Sequence, residues 1–182
     1  VVPTSGNAIV VEHLVAEVNF DVSFTQEGVY VAGNDPSSAL TMDSDSDGQP
    51  DILTANRGSD SLSLFLQVSG ASDAGTSFAP KVDFVLPFDD HPIALEAGDL
   101  DGDGDQDVAV AGDGGVTTFV GDGQGLLVPV GFAPVGFLAD LALGDLDGDG
   151  YLDEAGASGA PALGPGAEIG SATSLANDGA GD

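Results

Sequence analysis

The strongest constraint on this chain is a nine-residue acidic pattern, Asp-x-Asp-x-Asp-Gly-x-x-Asp, that occurs three times. It reads Asp43, Asp45, Asp47, Gly48, Asp51, then Asp99, Asp101, Asp103, Gly104, Asp107, then Asp145, Asp147, Asp149, Gly150, Asp153. Four carboxylates within nine residues repel one another, and a cation among them removes that cost. The donors are all oxygen, with no Cys in the chain and no His in any loop, which suits a hard ion. Calcium fits best, because it accepts six to eight oxygens in flexible geometry, whereas magnesium keeps more of its waters. The candidate ligands are the carboxylates at positions 1, 3, 5 and 9 and the carbonyl at position 7, which belongs to Gln49, Asp105 or Tyr151. Glycine at position 6 permits the sharp turn. One such run would read as a solvated acidic turn; three with identical spacing read as three calcium sites.

The residues after each loop decide its structural setting. An EF-hand needs an acid at position 12 and a helix on the way out. Position 12 here is Thr54, Val110 and Gly156. The ninth-position Asp instead runs into Ile52-Leu53-Thr54-Ala55, Val108-Ala109-Val110-Ala111 or the weaker Glu154-Ala155-Gly156-Ala157. Ahead of the loops lie Ala39 to Met42, Ile93 to Ala97 and Leu141 to Leu143. Short apolar runs bounded by Gly, Asp and Pro read as strands, so each loop joins two strands.

The loops begin at residues 43, 99 and 145 and so recur after 56 and then 46 residues, a period typical of solenoids, propellers or arrays. Further strand candidates are Leu62 to Leu66, Val82 to Leu86 and Val116 to Val120. Glycine-rich turns follow at Gly70 to Gly75 and Gly121 to Gly125, and then Phe78-Ala79-Pro80 and Phe132-Ala133-Pro134, which align as one recurring element. Ala176 to Asp182 reads as the same glycine turn, and Phe24 to Pro36 as the close of a preceding unit. About three and a half units of four short strands give an all-β fold built from propeller blades. The expected division is 1–37 (N-terminal strands and the end of a preceding blade), 38–91, 92–137 and a truncated, Ala/Gly-rich 138–182.

The segments Gly98-Asp99-Leu100-Asp101-Gly102-Asp103-Gly104 and Gly144-Asp145-Leu146-Asp147-Gly148-Asp149-Gly150 resemble the FG-GAP/VCBS repeat, which forms blades of the integrin alpha-subunit propeller and of many bacterial secreted proteins. The resemblance covers roughly residues 20 to 182. It implies a partial β-propeller of about three to four four-stranded blades, with calcium held by the side chains at positions 1, 3, 5 and 9 of each loop. The first loop departs from the pattern with Met42 and Ser44 where the others carry Gly98 and Leu100, or Gly144 and Leu146. Residues 156–176 replace the expected apolar strand with Ala, Gly, Ser and Pro.

Charge narrows the function. The chain has 31 acidic and two basic residues, Arg57 and Lys81, for a net charge of −29 over 182 residues. Three calcium ions would offset only six of those charges. Such a surface repels nucleic acid and anionic lipid and is relieved by screening in a high-salt medium. No apolar run is long enough to cross a membrane. Extracellular calcium modules work at Kd of about 10⁻⁴ to 10⁻³ M, which points to a secreted or cell-surface setting. A chain that starts at Val1 reads as a mature or excised part of a longer exported protein.

No catalytic set emerges. Gly121 to Gly125 lacks the Lys and the helix of a phosphate loop and reads as a tight turn. His13 and His91 are isolated, with a turn or packing role expected for His91 beside Pro92. Arg57-Gly58-Ser59-Asp60 is not an Arg-Gly-Asp tripeptide. The expectation is a non-enzymatic, calcium-rigidified module for protein or glycan interaction in an adhesive or structural role. Its partners would be a protein or glycan ligand, or further blades of the same or another chain, with an oligomer one outcome. Two alternatives are a carbohydrate-binding lectin, for which the chain offers no Trp and only Tyr30 and Tyr151, and a non-catalytic segment of a secreted polysaccharide-active enzyme. Residues Ile9 to Phe20, outside the clear repeat, are candidates to cap an end or pair with a neighbour.

Overall fold

The computed structural model describes residues 8–16, 22–68, 77–158 and 171–175, with side chains described over 28–68 and 77–158. The glycine turns expected at Gly70 to Gly75 and Ala176 to Asp182, and the Ala/Gly/Pro segment 159–170, lie outside the described residues. Among the described residues, four antiparallel sheets follow one another along the chain. The first is a hairpin, β1 (Ala8–Ala16) with β2 (Val22–Val31). The second is β3 (Pro36–Met42), β4 (Asp51–Asn56), β5 (Ser61–Phe65) and β6 (Val82–Val85), paired in that order. The third repeats it with β7 (Ala94–Gly98), β8 (Asp107–Ala111), β9 (Val116–Gly121) and β10 (Leu127–Ala133). The fourth has three strands among the described residues, β11 (Asp140–Gly144), β12 (Asp153–Ser158) and β13 (Ser171–Leu175). A 3-10 turn, Arg57–Ser59, lies between β4 and β5.

The first strands of successive sheets, β3, β7 and β11, lie side by side, and each sheet extends outward from them. That is the arrangement of propeller blades around an axis. Alternation along the central strands makes it work, since successive side chains leave a strand on opposite faces. In β8, Val108 and Val110 face the preceding blade and join Leu53, Leu62, Leu64 and Phe119 in one fully buried cluster. Ala109 and Ala111 face the other way, into a second cluster with Leu100, Leu138 and Leu141. A third, smaller cluster of Ala32, Ile52 and Phe65 joins the hairpin to the first blade. The two four-stranded blades thus bury both faces of their central strands, which is why β4, β5 and β8 are buried along their whole length.

One expected equivalence shifts. Phe78-Ala79-Pro80 does not occupy the place of Phe132-Ala133-Pro134. Phe132 lies opposite Thr117, and opposite the matching Ser63 stands Asp83, whereas Phe78 makes only an isolated bridge with Gln67. The cause is the connection between the third and fourth strands. It runs over residues 66–81 in the first blade and over only 122–126 in the second. Near the N-terminus, the segment expected to cap or pair with a neighbour contributes β1, which pairs with β2 of its own chain; residues 17–21 lie outside the described residues.

Candidate metal centre

Each acidic loop joins the first two strands of a blade: Asp43 to Asp51 between β3 and β4, Asp99 to Asp107 between β7 and β8, and Asp145 to Asp153 between β11 and β12. All three loops wind around their own carboxylates. The position-1 carboxylate accepts the amides of positions 4 and 6 in loops 2 and 3, from Gly102 (2.7 Å) and Gly104 (3.1 Å) to Asp99 and from Gly148 (2.6 Å) and Gly150 (3.2 Å) to Asp145. In loop 1, Asp43 accepts instead from Asp47 (3.1 Å) and Gly48 (3.0 Å). The position-3 carboxylates of Asp45, Asp101 and Asp147 accept the position-5 amides at 3.3, 3.1 and 3.1 Å. Those of Asp47, Asp103 and Asp149 accept the amides of Gln49, Asp105 and Tyr151 at 2.8, 2.8 and 2.9 Å.

The coil requires left-handed backbone at two places. The position-6 glycines Gly48, Gly104 and Gly150 have φ of 84°, 95° and 98°. At position 4, Gly102 and Gly148 adopt 82° and 85°, but loop 1 places Ser46 there at 56°. A side chain is disfavoured in that region. Ser46 is therefore a further departure of the first loop, besides Met42 and Ser44, and it accompanies the altered hydrogen bonding of Asp43.

The ninth-position carboxylates are the structural centre of each loop. Asp51, Asp107 and Asp153 are buried, at 0%, 0% and 1% exposure. Their Oδ2 atoms accept the position-2 amides of Ser44 (2.9 Å), Leu100 (2.7 Å) and Leu146 (2.8 Å). Oδ1 of Asp51 accepts the amide of Gln67 (2.7 Å) and Oδ1 of Asp107 that of Gly121 (2.9 Å), which ties the loop to the end of the third strand. Burial pushes the pKa of both acids up. Amide hydrogen bonds partly offset this, and the neighbouring charges of Asp45 and Asp47, or of Asp101, add to it.

Around each buried acid the carboxylates converge. Oxygens of Asp43, Asp45 and Asp51 lie within 4.8 Å of one another, as do those of Asp99, Asp101 and Asp107 and those of Asp145, Asp147 and Asp153. Asp47, Asp103 and Asp149 stand outside these closest groups. Gln49, Asp105 and Tyr151 sit beside them and hold them by their amides. A carboxylate oxygen carries two acceptor sites, so a single amide bond leaves capacity for an ion; Asp107 Oδ2, which also accepts the Asp101 amide at 3.3 Å, is the most occupied of these oxygens. Three gathered carboxylates, one of them buried among like charges, form an oxygen-only donor set that fits a hard divalent cation.

Neighbouring loops also brace one another. The amide of Asp43 donates to Gln106 Oε1 (3.2 Å), and Ser46 Oγ to Asp105 Oδ1 (3.3 Å). Gly125, in the turn after β9, donates to the carbonyl of Ser44 (3.0 Å). Gly102 lies against the Tyr151 ring, where an added Cβ would stand 3.1 Å from it. Positions 7 and 8 of one loop thus support the loop before it. The Gln106 contact had no visible signal in the sequence. The Gly121 to Gly125 segment is the tight turn its glycines implied, with Gly123 and Gly125 at φ of 62° and 85°.

Successive four-stranded antiparallel blades, each opened by an acidic loop between its first two strands, define a repeat protein of the β-propeller type. The model of the FG-GAP-like repeat matches residues 43–110 and 99–155, so the chain belongs to the FG-GAP-like repeat family. No curated protein sequence matches it.

Proposed function

We propose that this chain is a calcium-rigidified interaction module working outside the cytoplasm, with calcium in each of the three acidic loops. The observation that carries the reading is the convergence of the carboxylates at positions 1, 3 and 9 in all three loops, around a ninth-position acid buried to 1% exposure or less. Asp43, Asp45 and Asp51, with their counterparts in loops 2 and 3, would hold the ion, and Asp47, Asp103 and Asp149 would complete the shell together with the carbonyls of Gln49, Asp105 and Tyr151. Calcium supplies the positive charge that offsets carboxylate repulsion. The chain's own residues do the rest: they coil the loop, pin it to the third strand and brace the next loop. A net charge of −29 supports a secreted or cell-surface setting, where calcium is abundant and salt screens self-repulsion.

The role is non-catalytic in this reading, and the partner is a protein or glycan. Tyr30 packs edge-to-face on Phe65 and Phe78, with centroids 6.0 and 5.1 Å apart, and Tyr151 covers Gly102, so both tyrosines serve packing. That favours a protein-binding surface over a lectin that stacks sugars on aromatic rings. The test is calorimetric titration of the chelated protein with calcium, paired with thermal melts. Three ions per chain are expected, each adding about 2.7 kcal/mol at free calcium a hundredfold above Kd. Equal melting temperatures in calcium and in chelator would overturn the reading.

A further inference from the structure

We infer a second kind of metal site, for a divalent transition-metal ion of the zinc class, formed by Asp60, Asp89 and His91 at the end of the blades opposite the acidic loops. The acidic loops join first to second strands. Asp60 lies in the turn from β4 to β5, Asp113 in the turn from β8 to β9, and Asp89 to His91 in the link from β6 to β7. In antiparallel blades these turns fall at the other end. Carboxylate oxygens of Asp60 and Asp89 and an imidazole nitrogen of His91 lie within 4.8 Å of one another. The amide of His91 donates to Asp60 Oδ1 (2.8 Å), which fixes the two ligands relative to each other across the junction of two blades.

The imidazole has the orientation a metal ligand needs. Its Nε2 faces Asp89 at 4.0 Å, and its Nδ1 faces Asp113 Oδ2 at 3.7 Å. A carboxylate behind one ring nitrogen favours the tautomer whose other nitrogen is free to bind metal. Nitrogen in the donor set separates this site from the all-oxygen loops and moves its preference from calcium towards zinc, cobalt or nickel.

A second observation comes from Asp90, between two of the ligands in sequence. It is 1% exposed; its Oδ1 accepts the Gly114 amide, and its Oδ2 has no hydrogen-bond partner. Asp90 packs against the Gly112 to Gly114 turn that carries Asp113, and its carbonyl accepts the Asp113 amide, so it adds a further carboxylate to this end of the blades. Against the four carboxylates of Asp60, Asp89, Asp90 and Asp113 stands the Arg57 guanidinium, 3.6 Å from Asp113 and half-exposed. A divalent cation at Asp60, Asp89 and His91 brings that group close to neutrality.

The test uses the full chain saturated with calcium, so that the acidic loops do not compete. Cobalt(II) is titrated as a spectroscopic stand-in for zinc, followed by its visible absorption and by paramagnetic shifts of the His91 imidazole resonances, with His13 as internal control. One cobalt per chain is expected to persist in excess calcium and to be displaced by zinc. Asp89→Asn changes a side chain that is 84% exposed, and His91→Asn keeps a residue that tolerates the positive φ of 45° found there, so both variants should fold. Each should weaken cobalt binding tenfold or more and leave calcium stoichiometry unchanged. Asp113→Asn, a change to a positioning residue, should weaken it about tenfold. Full displacement of cobalt by calcium, or undiminished cobalt binding to His91→Asn, would overturn the inference.

Discussion

Replacing Asp107 with Ala separates what this carboxylate does for the fold from what it does for an ion. Its oxygens accept the amides of Leu100 at 2.7 Å and Gly121 at 2.9 Å, and more loosely that of Asp101 at 3.3 Å, in a fully buried position. The alanine variant removes the acceptor of the two short bonds, from Leu100 and Gly121. A buried amide left without its acceptor costs about 1–3 kcal/mol, so the two together cost about 2–6 kcal/mol. At 2–4 °C per kcal/mol for a chain of this size, melting should fall by roughly 10 °C. Because the loss lies in the scaffold, it should appear in chelator as well as in calcium. Asp103→Ala is the contrast. Asp103 is exposed and accepts the amide of Asp105 at 2.8 Å, so in chelator its removal should cost no more than about 1 kcal/mol. In calcium, Asp103→Ala should also weaken ion binding and lose the stabilisation of one site. Thermal melts followed by circular dichroism, each variant with and without calcium, decide the matter. If Asp107→Ala melts like the parent protein in chelator, the buried acid is not the pin described here.

Two further outcomes follow from the same geometry. Gly104 and Gly150 sit at φ of 95° and 98°, and an added Cβ at either would meet nothing within 4 Å, so valine there should cost at least about 1–2 kcal/mol through backbone strain alone. Asparagine, which tolerates this region, should cost clearly less, and equal melting of the two variants would show that strain is not the cause. The response to pH should change sign with calcium. Burial, above all, raises Asp51, Asp90 and Asp107 above the ordinary 3.8, so the stability they contribute is complete below 3.8 and is lost as pH climbs through their raised values. Chelated protein should therefore gain stability as pH falls from neutral towards 3.8, whereas calcium-loaded protein should lose it as protons compete with the ions. Asp83 does not disturb this window. Burial alone would raise it, but hydrogen bonds from Lys81 and Ser63 hold it below 3.8, so its contribution is lost only in stronger acid. Denaturant melts at intervals between neutral pH and 3.8, with slopes of the same sign in both conditions, would refute the assignment.

The parts of this molecule legible in its sequence are those encoded by neighbours along the chain. Ile52 to Ala55 and Val108 to Ala111 announce buried strands because both faces of a blade are covered, and the loops announce themselves because a coil around several carboxylates needs Asp and Gly at fixed spacing. What was hidden depends on contacts between blades or on insertion length. Phe78 resembles Phe132 in its local string, yet the long 66–81 connection puts Asp83, not Phe78, at the position that matches Phe132. Gln106 reaches Asp43, and Asp60 reaches His91, only because two blades stand side by side. No periodic pattern along the chain marks either pair.

The position-2 leucines make the same point in energetic terms. Leu100 and Leu146 occupy identical places in loops 2 and 3, yet Leu100 is 7% exposed and Leu146 60%. Leu100 belongs to the buried cluster between the second and third blades, which includes Leu141, with Leu143 and Leu152 packed against it. Burying a leucine fully is worth about 1.5–3 kcal/mol, so the third loop carries an apolar side chain whose stabilisation depends on a further surface being brought against it. The repeat specifies a face; the next blade, or whatever takes its place, determines how much that face contributes.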